Sequence, residues 1–415
     1  SDEPFILAAI DLAPADTATL DPEKVIALIT SDGGPQAHTA ILARGLGLPA
    51  IVAAKGVTDI ADGTVVYVDS NEGIVDTEPT DADREAAIKY ANRKPVADFD
   101  GKGVLADGTR VELYANVGDG KSAEKAASLK AEGVGLLRTE FGFLGHDAEP
   151  SIETQAKTYK SVFDAFPGKH IVVRTLDAGA DKPLPFLNVN PEENPALGVR
   201  GFRTDWTVPG VLTRQLQAIK AASEESDADI WVMAPMISTT SEARNFANML
   251  KEIGLPVHGV MVETPAAVMN AEAILGEVDF VSIGTNDLTQ YTMAADRLLG
   301  DLAHLNNPWQ PAVLKMIKMT VEGAQRASVT AGKKKYVSVC GEAAADPALA
   351  VVLIGLGVDT LSMNAGAIPA VAAVLKSVTK EKAQQIAAIA LQQISSAEAK
   401  ESARKALPIL DELGL

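Results

Sequence analysis

The chain has 415 residues and a formal net charge of −18, a length that allows one barrel-sized domain and a smaller neighbour. The negative charge disfavours nucleic acid as a partner, the single cysteine excludes an intrachain disulfide, and the longest apolar run, ALAVVLIGLGV, is too short to cross a bilayer. With no signal peptide at its start, the sequence predicts a cytoplasmic protein, and its non-Met beginning at Ser1 is interpreted as the start of a fragment.

Residues 1–80 are predicted to form a small α/β domain. KVIALIT is typical of a strand, the glycines after it of a turn, the next segment of one short helix, and AIVAA, TVVYVD and GIVDTEP of three further strands. Residues 81–103 are predicted to be a linker, because TDADREAAIKYANRK lacks β-branched clusters and offers Thr80 or Asp81 as the N-cap of a solvated helix.

Residues 104–415 are predicted to form a (β/α)8 TIM barrel. Eight β-branched runs, bounded by Gly or Pro and separated by helix-length segments, are typical of buried parallel strands in βα units. They are VELYANVG, GVGLLRTEF, HIVVRTLDA, DIWVMAPMI, VHGVMVETP, FVSIGTNDL, YVSVCGE and TLSMNAGAI. Since most of these runs end in polar residues, and a TIM barrel has its active site at the C-terminal ends of its strands, the sequence predicts an enzyme.

His38 lies between the strand KVIALIT and the short helix, in the segment GGPQAHTAILARGLG. This position in the first helical turn favours a neutral, nucleophilic imidazole, and the free backbone N–H groups there would stabilise a phosphoryl group on its ring. The same pattern is compatible with an ordinary βα turn that carries a surface histidine.

Arginines end two of the predicted barrel strands. Arg138 and Arg174 are each followed by Thr, and two converging guanidinium groups match a phosphate or a carboxylate. Arg200 and Arg297 lie in loops after strands, where they would be able to join the first two. The alternative is that each is a solvated surface cation.

Two carboxylates follow consecutive predicted strands. Glu263 and Asp287 would together hold Mg²⁺ while an anionic substrate supplies further oxygens. The alternative is that they belong to helix caps, because Thr264-Pro265 and Asp287 both suit helix starts.

Cys340 ends the seventh predicted strand and is followed by Gly341 and Glu342. This place favours exposure in the barrel mouth, where a thiol can pass a proton to or from a carbon acid. A lone cysteine also fits the role of a small buried hydrophobe.

Seven motifs, in order along nearly the whole chain, resemble those of the phosphoenolpyruvate-protein phosphotransferases, the Enzyme I family of the sugar phosphotransferase system. They are GGPQAHTAILARGLGLPAIV, LLRTEF, RTLDAGADKPLPF, NPALGVRGFR, VMVETPAA, SIGTNDLTQY and VCGEAAADP. Pyruvate phosphate dikinases and phosphoenolpyruvate synthases share the chemistry but carry a nucleotide-binding domain, and the short linker after His38 is more similar to that of Enzyme I.

The resemblance implies a role for each candidate residue. His38 would take the phosphoryl group of phosphoenolpyruvate, and Cys340 would protonate the enolate that remains, which becomes pyruvate. Glu263 and Asp287 would hold Mg²⁺. The residues implied to contact phosphoenolpyruvate are Arg138, Arg174, Asn286, Asp287 and Arg297, with Arg200 as a further candidate.

The resemblance also implies partners. His38 would pass the phosphoryl group to the carrier protein HPr, and the chain would form a homodimer through its barrel. The family's helical HPr-docking subdomain normally precedes a segment like the first one here, so we expect a fragment that transfers slowly to HPr. Two features depart from the family: Gln36-Ala37 replaces the usual Thr-Ser before the histidine, and the loop after Arg297 is longer.

Other functions are compatible with the barrel residues alone. The first is a fragment of a dikinase or synthase, and the second is a Mg²⁺-dependent lyase of the aldolase type, which would not need His38. The third is a regulatory protein that senses phosphoenolpyruvate or pyruvate, which would need neither a phosphoacceptor nor an acid.

Overall fold

The computed structural model of the chain describes residues 3–12, 20–21, 23–33, 39–40, 43, 46, 48–178, 184–188 and 190–415. The chain divides into two compact units. The first comprises Ser1–Val96, Ala295–Asn307 and Pro408–Leu415, and the second comprises Ala97–Ala294 and Pro308–Leu407. Within the described ranges, no helix has both the length and the apolar composition needed to cross a membrane.

The first unit contains a parallel sheet of three strands in the order β1–β2–β3, and an antiparallel hairpin, β4–β5. The strand bounds are β1 Phe5–Ala9, β2 Val25–Thr30, β3 Ala50–Ile51, β4 Tyr67–Asp69 and β5 Ile74–Asp76. Val25, Leu28 and Ala43 form a buried core under the sheet. The sequence did not predict β1, because the short run FILAA has only one β-branched residue, Ile6, and no alternation of apolar and polar residues.

Helix α1 (Asp81–Ala91) confirms the helix predicted after Pro79. The Thr80 side chain accepts a hydrogen bond from the Asp83 N–H at 3.1 Å, and an Asp83 carboxylate oxygen accepts one from the Thr80 N–H at 3.0 Å. This reciprocal pair is a capping box. The helix has no buried residue, as expected of a solvated helix. A short helix of the first unit, α16 (Ile409–Leu413), lies near the end of the chain.

The second unit is a closed barrel of eight parallel strands, in which each strand pairs with the next along the chain and the last pairs with the first. The strands are β6 Leu113–Val117, β7 Gly133–Arg138, β8 His170–Arg174, β9 Asp229–Ala234, β10 His258–Val262, β11 Phe280–Gly284, β12 Tyr336–Cys340 and β13 Thr360–Met363. Each corresponds to one of the eight predicted runs, so the (β/α)8 prediction is confirmed.

Helices follow the strands, as the βα alternation requires. Their bounds are α2 Gly120–Ser128, α3 Ile152–Phe163, α4 Thr204–Thr207, α5 Val211–Glu224, α6 Thr240–Ile253, α7 Pro265–Met269, α8 Ala271–Glu277, α9 Thr285–Met293, α10 Pro311–Ala331, α11 Glu342–Ala345, α12 Pro347–Leu356, α13 Ile368–Leu375, α14 Lys380–Leu391 and α15 Ser396–Lys405.

The interior of the barrel is filled by side chains from successive strands. One buried cluster comprises Leu136, Val172, Met233, Met261, Phe280 and Cys340. Gly135 is required where two strands approach closely, because a Cβ atom there would lie 2.4 Å from the Ser362 side chain. The barrel is therefore a packed core, and its two ends are the places where a ligand can bind.

Candidate active site

Five of the predicted site residues lie at one end of the barrel. Arg138, Arg174 and Cys340 are the last residues of β7, β8 and β12, and Glu263 directly follows β10. Asp287 lies in the first turn of α9, just after β11. Because all eight strands are parallel, their C-terminal ends meet at the same mouth of the barrel, which is where TIM barrels carry their active sites.

Three carboxylates form a cluster at this mouth. One oxygen each from Asp177, Glu263 and Asp287 lies within 4.8 Å of the other two. One Glu263 oxygen accepts the Met236 N–H at 2.6 Å, and the other, Oε2, is buried with no hydrogen-bond partner among the described residues. A carboxylate oxygen left free inside an acidic cluster fits a hard divalent cation such as Mg²⁺.

Burial raises the pKa of Glu263 well above its usual value, and the charges of Asp287 and Asp177 raise it further. A buried carboxylate surrounded by like charges is costly unless cations balance it. The cluster is therefore suited to a metal ion, which would supply the balancing charge.

Arg200 bridges two members of the cluster. Its guanidinium donates to both Asp177 oxygens, at 3.2 and 2.8 Å, and to both Asp287 oxygens, at 3.0 and 3.1 Å. All three side chains are almost fully buried. A bidentate guanidinium of this kind orients each carboxylate firmly, and it leaves Glu263 as the member without such a partner.

Arg138 and Arg174 lie on adjacent strands and differ in their partners. Arg174 donates to Glu140 at 2.7 Å and lies 3.8 Å from an Asp177 oxygen. The guanidinium of Arg138 has neither a hydrogen bond nor an ion pair with any residue that the structure describes. Burial lowers the pKa of Arg138, and the nearby charge of Arg174 lowers it further. An anionic ligand would relieve this repulsion, so the pair is suited to bind a phosphate or a carboxylate.

Cys340 is buried inside the barrel, with 2% of its surface exposed. Ser282 Oγ donates to its sulfur at 3.3 Å, and the thiol faces the carbonyl of Ile283 at 3.7 Å. Burial raises the pKa of Cys340. The expected exposure in the mouth was wrong, because the position of a residue along a strand does not determine whether its side chain faces solvent.

Two further details concern the ends of β10 and β11. Asn286 Oδ1 accepts the Glu342 N–H at 3.4 Å, so it links the loops after β11 and β12. Thr264, not Glu263, provides the N-cap of α7, by accepting the Ala267 N–H at 3.3 Å. The carboxylate of Glu263 is thus not used for capping the helix.

Two predicted residues do not belong to the described part of the second unit. His38 lies outside the described residues; the neighbouring Thr39 donates its hydroxyl to Asp11 at 3.1 Å. Arg297 belongs to the first unit, in the segment Ala295–Asn307. The second unit therefore brings together the other candidates without these two.

Two carboxylates at the mouth were not predicted. Glu140 and Asp177 follow Arg138 and Arg174 by two and three residues, in the segments RTEF and RTLD. Each lies beside Arg174 in the structure. The repeated order of arginine, threonine and then an acid after two adjacent strands is the signal that would have identified them.

Family models match both parts of the chain. Residues 96–380 match the model described as the PEP-binding domain of PEP-utilising enzymes, where PEP is phosphoenolpyruvate. Residues 1–73 match the model described as the mobile domain of PEP-utilising enzymes.

Curated relatives extend over almost the whole chain. A phosphoenolpyruvate-protein phosphotransferase of Streptomyces coelicolor is 47% identical over 98% of this chain and 73% of its own length. One from Haloferax volcanii is 40% identical over 96% of this chain and 72% of its own length. A multiphosphoryl transfer protein of Xanthomonas campestris is 40% identical over 94% of this chain and 47% of its own length. The chain therefore belongs to the PEP-utilising enzymes, within the family of the phosphoenolpyruvate-protein phosphotransferases.

Proposed function

We propose that this enzyme transfers the phosphoryl group of phosphoenolpyruvate to the imidazole of His38, releases pyruvate, and passes the phosphoryl group on to HPr. The observation that carries the proposal is the cluster of Asp177, Glu263 and Asp287 beside Arg174, with Arg138 next to Arg174, at the mouth of a barrel that matches a PEP-binding domain. Phosphoenolpyruvate carries a phosphate and a carboxylate, and this mouth offers cationic groups and a metal-binding cluster to both.

The arginines would hold the substrate. The guanidinium of Arg138 has no hydrogen bond or ion pair with a described residue, so it is available to a ligand. Arg174 is held in place by Glu140. Asp177, Glu263 and Asp287 would hold Mg²⁺, which when bound neutralises charge on the substrate oxygens. Phosphoryl transfer needs mainly positioning and charge neutralisation, so these residues account for most of what the barrel would contribute.

The proposed transfer breaks the bond between phosphorus and the enol oxygen and forms a bond between phosphorus and an imidazole nitrogen of His38. The electron pair of the broken bond stays on the oxygen, which leaves the enolate of pyruvate. Cys340 would give its proton to the methylene carbon of this enolate. Because burial raises the pKa of Cys340, the thiol is protonated at neutral pH, and the charges of Arg174 and Arg138 partly stabilise the thiolate that forms.

The test is covalent labelling of the whole chain by phosphoenolpyruvate and Mg²⁺, followed by intact-mass spectrometry. We expect the mass of one phosphoryl group to be gained, and to be lost in acid as a phosphohistidine requires. His38→Ala should abolish this gain while calorimetry shows phosphoenolpyruvate binding almost unchanged. His146→Ala is the matched control, because His146 is an exposed histidine of the barrel unit. A His38→Ala protein that still gains the phosphoryl group would refute the assignment.

The acceptor of the phosphoryl group, the oligomeric state and the location are proposed from the family resemblance. The resemblance implies HPr as the next acceptor in sugar transport, a homodimer through the barrel, and a cytoplasmic location. Mixing the labelled chain with HPr and following the label tests the acceptor, and sedimentation tests the dimer. Label that leaves the chain only as inorganic phosphate would argue against HPr.

A further inference from the structure

A cavity lies at the opposite end of the barrel from the carboxylate cluster. Its volume is about 730 Å³, and residues at the starts of the strands line it. Among the lining residues are five with aromatic rings: Tyr114, His170, Trp231, Phe280 and Tyr336. Cavities of this size are typical of sites for small organic ligands, and here charged side chains surround the aromatic rings.

The rings form a continuous surface around Trp231. Its indole lies 4.1 Å from the His170 ring, edge to face, 5.0 Å from the Phe280 ring and 6.0 Å from the Tyr336 ring, measured between centroids. Phe280 is buried beneath this surface, and Tyr336 is 44% exposed. An accessible wall of aromatic rings favours a flat aromatic ligand, which can stack on it.

The carboxylates at the rim of the cavity are already paired. Glu132 accepts hydrogen bonds from Arg110 and from the N–H groups of Gly103 and Leu113. In the same way, Glu112 accepts the Tyr114 hydroxyl, Asp229 accepts the Trp231 indole N–H at 3.2 Å, and Asp359 pairs with Lys334 at 2.7 Å. Each of these carboxylates is therefore held in place by donors of the chain itself.

Two lysines at the rim have no partner for their ammonium groups among the described residues. Lys102 and Lys169 line the cavity, and neither ammonium group has an ion pair or a hydrogen bond with a residue in the described part of the chain. These two ammonium groups are therefore free to pair with an anionic group of a ligand. Lysine ammonium groups on flexible stems can follow an anionic group of varied position.

We propose that this cavity binds a small planar aromatic anion, with the ring stacked against Trp231 and Tyr336 and the anionic group near Lys102 and Lys169. A carboxylate or a phosphate would serve as the anionic group. The site is separate from the phosphoenolpyruvate site, because the two are formed by opposite ends of the same strands. It does not depend on the proposed phosphotransfer.

Calorimetry on the full chain tests the ligand class. AMP is the probe for aromatic phosphates, and 4-hydroxybenzoate is the probe for aromatic carboxylates. Adenosine, which lacks the phosphate, and ribose 5-phosphate, which lacks the aromatic ring, are the controls. We expect saturable binding of at least one of the two aromatic anions, with adenosine and ribose 5-phosphate each binding about tenfold more weakly or not at all. An excess of phosphoenolpyruvate with Mg²⁺ should leave this binding unchanged.

Variants locate the site. Tyr336→Ala and the double change Lys102→Gln with Lys169→Gln should each weaken binding about tenfold, through lost stacking and lost charge respectively. All three side chains are exposed, so neither variant removes a core contact. Trp206→Ala is the matched control, because Trp206 is 61% exposed and does not line the cavity. Binding should also persist in Glu263→Gln.

Three results would overturn the proposal. They are the absence of saturable binding by both aromatic anions, equal binding by adenosine or ribose 5-phosphate, and binding that is lost in Glu263→Gln but kept in the cavity variants. The last result would place the ligand at the C-terminal mouth instead.

Discussion

The two ends of the barrel both carry charged side chains, but they hold them in different surroundings. At the C-terminal end, Arg200, Asp177 and Asp287 each have less than a tenth of their side-chain surface exposed. At the N-terminal end, the side chains of Arg110 and Lys334 are 41% and 57% exposed. Removing an ion from water costs several kcal/mol, whereas an exposed pair contributes about 0–1 kcal/mol.

This difference indicates what each end is built to bind. A buried carboxylate cluster with an unpartnered Glu263 oxygen is retained at a cost in stability, which is understandable if a metal and an anionic substrate complete it. At the N-terminal end the Glu132 side chain is also buried, at 8% exposure, but both of its oxygens already have donors. The binding capacity of this end lies in the aromatic surface around Trp231. Charge interactions with a ligand should thus dominate binding at the C-terminal end, and stacking on aromatic rings should dominate it at the N-terminal end.

The largest effect should come from Glu263→Gln. The amide keeps an oxygen for the Met236 N–H but removes the charge that would hold the metal, so Mg²⁺-dependent phosphorylation by phosphoenolpyruvate should fall about a thousandfold. The free energy of unfolding should not fall, because repulsion with Asp287 and Asp177 is removed. Glu272→Gln is the control, since Glu272 is exposed and pairs only with Arg326 among the residues described. Activity that survives in Glu263→Gln would remove the cluster from the mechanism.

Arg200→Gln should mainly affect stability. Without the guanidinium, Asp177 and Asp287 are left as buried carboxylates beside Glu263, so we expect a loss of about 3–5 kcal/mol in the free energy of unfolding. Mg²⁺ should recover part of this loss, and its stabilising effect should be larger in the variant than in the unchanged protein. Urea denaturation with and without Mg²⁺ measures both quantities. A variant as stable as the parent would mean that the bridge contributes little.

Cys340→Ser should have a smaller effect, on proton transfer. A hydroxyl fills similar space but is a poorer acid, so pyruvate formation should slow about a hundredfold with phosphoenolpyruvate affinity almost unchanged. Stopped-flow assay of pyruvate and calorimetry separate the two. Equal turnover would return Cys340 to a purely structural role.

The pKa of Cys340 can be tested separately in the unchanged protein, where it is the only cysteine. Because burial raises this pKa, the thiolate fraction at neutral pH is lower than that of a free thiol, so alkylation should be slow there and accelerate as the pH rises. Rapid alkylation at neutral pH, measured by mass spectrometry, would contradict the raised pKa.

The sequence predicted the barrel because each strand carries its own local signal. A β-branched run between Gly or Pro residues is recognisable without knowledge of its neighbours, and parallel pairing then places all the strand ends together. This is why Arg138, Arg174 and Glu263 were expected at one mouth. β1 lacked such a signal and was missed.

The pairing of charges could not be predicted in the same way. Arg200 lies 23 residues from Asp177 and 87 from Asp287, and only the closed barrel brings the three together. The interior orientation of Cys340 likewise depends on the register of β12 with its neighbours, which the position at a strand end leaves undetermined.

The smallest effect should come from Arg110→Gln at the N-terminal end, which is the counterpart of Arg200→Gln. The Arg110 side chain is 41% exposed, and its partner Glu132 keeps two backbone N–H donors, from Gly103 and Leu113, when the guanidinium is removed. No carboxylate is therefore left without a hydrogen-bond partner, although the Glu132 side chain is only 8% exposed, so the free energy of unfolding should fall by about 1–2 kcal/mol. Phosphorylation by phosphoenolpyruvate should be unchanged. The same urea experiment measures this loss of stability. A loss as large as that of Arg200→Gln would mean that ion pairs contribute equally to stability at both ends of the barrel, and would contradict the difference described above.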